Sequence, residues 1–132
     1  MMKKAVSTEL APNTPGLLSQ AIEAGDLVFT SGFIHSTPDG KLVEGTIEEK
    51  VKQIMNNLQV VLHEAGVGFD QVVKAIVWVT DIADLPKVNE VYKTYFKEPL
   101  PAREGICVKA LPLGASIEIS MIAVREKVDK HN

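Results

Sequence analysis

At 132 residues, 45% of them apolar and 23% charged, the chain has the size and balance of one globular domain spanning residues 1–132. A formal charge of −3 and the lack of any basic block argue against a nucleic-acid partner. No apolar run nears the roughly 18 residues a membrane helix needs, and the lone Cys107 excludes an internal disulfide and most metal clusters. The start, Met1 to Ser7, carries no apolar stretch of signal-peptide length before Glu9, which points to a cytoplasmic protein.

In chain order, Ala21-Ile22-Glu23 and the β-rich Leu27–Ser31 flank Gly25-Asp26 and predict a hairpin that closes on Gly32. Pro38-Asp39-Gly40 reads as a turn. Thr46 with Glu49 three residues on is a capping box. It opens a helix whose apolar face runs Ile47, Val51, Ile54, Met55, Leu58, Val61, Leu62 and Ala65 before Gly66 stops it. Val72–Val79, broken only by Lys74, predicts a central strand buried on both faces. Asp84 reads as the N-cap of a second helix with Pro86 in its first turn and Pro99 and Pro101 beyond its end. Two last strands, Ile106–Leu111 and Ser116–Val124, are expected to form a hairpin around Pro112-Leu113-Gly114, with a frayed tail from Arg125 to Asn132. The fold class is therefore α+β: a mixed β-sheet with two helices packed on one face.

Glu118 is the odd residue, a carboxylate mid-strand in the most apolar part of the chain. It is either an exposed glutamate on an open sheet face or a buried one with a perturbed pKa suited to proton chemistry. Arg103 follows the stiff lead-in Pro99-Leu100-Pro101-Ala102. It is either a surface arginine or a fixed guanidinium fork for a carboxylate. Asn89 sits inside the second helix and either faces solvent or bonds a loop or ligand. Ser31 and Gly32 end a strand where a backbone N–H could reach a ligand, and Gly32 reads equally well as a turn glycine. Cys107 reads as a packing residue. His35, His63 and His131 show no metal-ligand spacing, and no phosphate loop or dinucleotide fingerprint is present.

Leu18-Ser19-Gln20-Ala21 and Ala24–Gly32 resemble the N-terminal signature of the Rid/YjgF family, whose members include 2-iminobutanoate/2-iminopropanoate deaminases and often carry the endoribonuclease L-PSP label. The resemblance continues through Asn57-Leu58, Ala65-Gly66, Asn89-Glu90-Val91-Tyr92, Pro101-Ala102-Arg103, Leu111-Pro112, Ile117-Glu118-Ile119 and Ile122-Ala123. It implies chorismate-mutase-like subunits in a homotrimer, the sheets forming an inner barrel and the sites lying between subunits. It implies a cofactor-independent hydrolysis of 2-imino acids to 2-keto acids and ammonia. Arg103 would hold the substrate carboxylate and Glu118 would position or activate water. Ser31, Gly32, Asn89 and Gly105 would line the same cleft. Leu18 stands where the family commonly has a tyrosine, a lost hydroxyl worth on the order of 1–3 kcal/mol. Phe33 stands where glutamine is frequent, which implies a more apolar pocket, and Ser120 replaces an acidic residue. Two other functions follow from the same resemblance: a non-catalytic trimer that binds 2-keto acids, and a single-stranded RNA endoribonuclease, against which the acidic composition speaks.

Overall fold

The structure, a computed structural model, describes residues 2–125. Its elements in order are β1 (Lys3–Val6), β2 (Ala21–Ala24), β3 (Leu27–Thr30), β4 (Phe33–Ile34), α1 (Ile47–Glu64), β5 (Val72–Val79), α2 (Leu85–Tyr92), β6 (Ala102–Cys107) and β7 (Ile117–Val124). The strands join one mixed sheet in the order β1-β2-β3-β7-β5-β6, with the short β4 also pairing β7. Among the described strands only β5 and β6 run parallel.

The predicted helix α1 forms as its sequence dictates. The Thr46 hydroxyl accepts from the Glu49 amide at 3.1 Å, and the Glu49 carboxylate accepts from the Thr46 amide at 2.9 Å. At the other end Gly66, at φ 80°, closes a Schellman turn in which its N–H donates to the His63 carbonyl and the Val67 N–H donates to that of Leu62. Thr46→Ala is expected to destabilise the fold by about 1 kcal/mol; an unchanged urea midpoint would show the cap to be dispensable.

The core lies between one face of the sheet and both helices. Val51, Ile54, Leu58 and Leu62 of α1 and Val88 of α2 pack with Val28, Ala75, Val77, Ile117, Ile119 and Met121. The opposite sheet face is apolar but uncovered, with Leu27 and Phe29 each 39% exposed and Ile106 and Val124 each 38% exposed.

Several expectations are corrected. Strand β5 is buried on one face only: Ala75, Val77 and Val79 are covered while Ile76 and Trp78 are half-buried. A bulge at Val73 switches its phase, so that Val72 as well as Ala75 faces the core. The last two strands do not form a hairpin. Both pair with β5, from opposite sides, and the first begins at Ala102 rather than Ile106. Exposed edge-strand residues, with Gly105 among them, hid that strand from any apolar pattern. Asp84 sits at the N-cap of α2 without a side-chain bond, and Asp81 instead accepts from the Ala83 amide at 3.0 Å in a preceding 3₁₀ turn. Cys107 is exposed rather than packed. Arg125 is tied down rather than frayed: its backbone N–H donates to Asp26 and its guanidinium donates to the carbonyl of Ala65, each at 2.6 Å. Residues 126–132 of the expected tail, His131 included, lie outside the described residues.

Candidate functional site

The residues singled out in the sequence fall into two groups. Directly paired residues share a sheet face, so the register places each side chain. Glu118 pairs with Trp78 and Ile34 and projects from the uncovered face. Arg103 pairs with Ala75, which in turn pairs with Met121, and projects from the helix-covered face. One chain therefore does not bring Arg103 and Glu118 together.

The first group surrounds Glu118. The backbone leaves β3 at Thr30, whose hydroxyl accepts from the Met121 amide at 2.9 Å, and rejoins β7 through β4. Gly32 lies in the step between. A Cβ on Gly32 would meet Glu118 Oε2 at 2.1 Å. The glycine gives the carboxylate room to lie over the backbone, and a side chain there would displace it. Burial pushes the Glu118 carboxyl above the usual glutamate range. Gly32→Ala is expected to fold and to push the carboxylate toward water, lowering its NMR titration midpoint; an unmoved midpoint would show that the side chain has room to spare.

Ser31 spends its hydroxyl on structure, donating to the Ser19 carbonyl at 2.6 Å. That bond holds the preceding loop, which carries Leu18, against the strand. Gln20, buried and read in the sequence only as part of a motif, holds the same loop from within. Its amide donates to the carbonyls of Thr8 at 3.0 Å and Pro12 at 2.8 Å, and its carbonyl accepts from the Thr8 amide at 2.7 Å. A cavity of about 540 Å³ opens beside Glu118, with Leu17, Leu18, Ser31, Gly32 and Leu113 in its wall. Phe33 borders it as well, but it is only 5% exposed, belongs to the core and pairs with Ile119. Its ring serves packing, which the position next to Gly32 concealed.

The second group surrounds Arg103. Its guanidinium lies over the Tyr92 ring, 4.9 Å from the centroid. Among the described residues it makes no hydrogen bond or ion pair. A half-buried guanidinium with five donors and no anionic partner among the described residues has the chemistry to accept one. Gly105 keeps the space clear, since a Cβ there would stand 3.3 Å from Arg103 Nη2 and 3.1 Å from Leu85 Cδ2. Leu85, Asn89 and Tyr92 share one face of α2 at helical spacing. The Asn89 Oδ1 and the Tyr92 hydroxyl are both buried without a hydrogen-bond partner. Burial raises the Tyr92 pKa against the opposing pull of Arg103. Tyr92 entered the sequence reading only as part of a motif, not as a site residue. Its place three residues after Asn89 was the available signal.

No cluster of histidine, cysteine or carboxylate side chains able to hold a metal occurs among the described residues. No helix among them is long and apolar enough to cross a membrane.

Comparison with known proteins shows the family of the chain. The family model described as Endoribonuclease L-PSP matches residues 8–125. A 2-iminobutanoate/2-iminopropanoate deaminase of Rattus norvegicus is 44% identical over 126 residues, covering 95% of this chain and 92% of that protein. The chloroplastic Reactive Intermediate Deaminase A of Arabidopsis thaliana is 44% identical over 122 residues, covering 92% of this chain, which spans 65% of that protein's length. The crystal structure of E. coli TdcF with bound serine superposes with a TM-score of 0.86 at 32% identity, covering 93% of this chain and 99% of that one. The match along nearly the whole chain, in sequence and in fold, makes this protein a member of the endoribonuclease L-PSP family, the Rid/YjgF family its motifs resemble.

Proposed function

We propose that the protein is a cofactor-independent deaminase that hydrolyses 2-imino acids to 2-keto acids and ammonia. The observation that carries this reading is the unpaired Arg103 guanidinium stacked on Tyr92, a ready anchor for a carboxylate. The rat relative's name supplies the chemistry. The imine carbon is already electrophilic, so the site has to orient the substrate, position water and handle a proton. Arg103 holds the carboxylate, with Asn89 and the space over Gly105 beside it. Glu118, its carboxyl raised by burial, accepts the proton of the attacking water. The Gly32 backbone and the Leu18 loop form the adjoining wall.

These two groups act in one site only if they come from different copies. We place the site between subunits of a homotrimer of chorismate-mutase-like subunits, with the uncovered sheet faces buried against one another. Leu27, Phe29, Ile106 and Val124 supply the apolar surface such an association needs.

The test generates imines in situ with an amino-acid oxidase and follows release of the keto acid. Faster release with the protein present is expected. Equal rates with and without it, under conditions where imine accumulates, would exclude the deaminase reading.

A further inference from the structure

The cavity beside Glu118 has a character that neither the family assignment nor the relatives' names supply. Its volume of about 540 Å³ lies in the range of sites for ligands much larger than a three- or four-carbon acid. Its wall carries the aliphatic Leu17, Leu18, Ile34, Pro112 and Leu113 beside polar groups such as Asn13 and Thr14. All three leucines are left open to solvent: Leu17 at 77%, Leu18 at 45% and Leu113 at 71%. Large aliphatic side chains gathered around one cavity mark a site that an apolar group covers.

The wall is built rather than accidental. The Leu17-Leu18 loop is pinned by the Ser31 hydroxyl bond to Ser19 and by the buried Gln20 amide. Leu113 stands at φ 59°, the left-handed region a residue with a Cβ rarely adopts, and is the non-glycine residue found there among those described. The turn then continues through Gly114 at φ 77°. Holding a leucine in that conformation, with its side chain largely exposed, gains nothing for the core. Strain of this kind collects where a side chain must be presented to a ligand. The charge pattern is selective too. Asp39 and Glu118 both border the cavity, so a second carboxylate would meet two like charges there.

We propose that this cavity receives the side chain of the substrate, and that the protein prefers 2-imino and 2-keto acids with long or branched aliphatic side chains, of leucine or methionine size, over three-carbon and dicarboxylic ones. Leu113, Leu17 and Leu18 are the specificity-determining residues. The inference rests on the site read above and names the substrate class it takes.

The test is calorimetric binding of three 2-keto acids: 4-methyl-2-oxopentanoate, pyruvate and 2-oxoglutarate. The branched acid is expected to bind at least about tenfold tighter than either of the others, given what a methylene contributes in an apolar pocket. Leu113→Gly, which also relieves the left-handed backbone, is expected to narrow the gap to pyruvate by about threefold or more. Leu17→Ser gives an independent check of the same wall. Equal affinity for pyruvate and the branched acid would overturn the preference while leaving the deaminase reading standing. So would a gap that neither variant changes. Failure of all three acids to bind would remove both.

Discussion

Replacing Arg103 with alanine is expected to reduce kcat/KM for 2-imino acids by roughly 30- to 1,000-fold, the loss of a charge-assisted, two-pronged grip on a carboxylate. Stability should barely move, because among the described residues the guanidinium has no hydrogen bond to lose and gives up only its stacking on Tyr92. Arg103→Lys keeps the charge but not the fork, and should recover only part of the activity. Steady-state kinetics alongside urea unfolding separates the effects. A variant that unfolds early, or that retains full kcat/KM, would show that Arg103 supports the fold rather than the substrate.

Glu118→Gln is expected to lower kcat by roughly 10²- to 10⁴-fold, the usual contribution of a positioned proton-transfer group. Its effect on stability should be opposite in sign. The folded state raises the carboxyl pKa by burial, so folding favours the protonated form. The stabilisation is then greatest below the unfolded pKa and is lost as pH rises through the higher folded value. At neutral pH the ionised carboxylate is a burden, and glutamine removes it. The variant should therefore be slower yet at least as stable. The same shift fixes the pH profile. Wild-type activity should rise with pH as Glu118 ionises, with a midpoint above the ordinary glutamate value, and the glutamine variant should lack that limb. Matching profiles for the two proteins would assign the proton chemistry to another group.

How much of this was legible in the sequence depends on what each residue contacts. Helix α1 was readable from end to end because its determinants are local: the Thr46–Glu49 box, the apolar period and Gly66 all act within the element. The β2–β3 hairpin was readable for the same reason. Strand β6 was read only at its end, from Ile106, because an exposed edge strand leaves no alternation to mark where it begins. The supposed final hairpin failed because β5 intervenes between the last two strands, a long-range pairing that no turn signal encodes.

The site divides along the same line. Glu118 drew attention as a charge in an apolar strand, and its half-buried place follows from alternation in β7. The close approach at Gly32 did not, since it comes from a carboxylate reaching across from another strand. Phe33 was read as pocket; it borders the cavity with a ring that is largely buried in the core, because β4 pairs it with Ile119. The separation of Arg103 from Glu118 rests on register through β5, which alone tells which face each side chain takes.

That separation makes the central claim testable by complementation. Arg103→Ala and Glu118→Gln subunits, each nearly inactive alone, can be mixed by co-refolding in equal amounts. If each site takes Arg103 from one copy and Glu118 from a neighbour, mixed trimers carry some sites with both groups intact, and about a quarter of wild-type activity should return. Mixed assemblies, verified by native mass spectrometry, that stay as inactive as their parents would contradict a site shared between subunits.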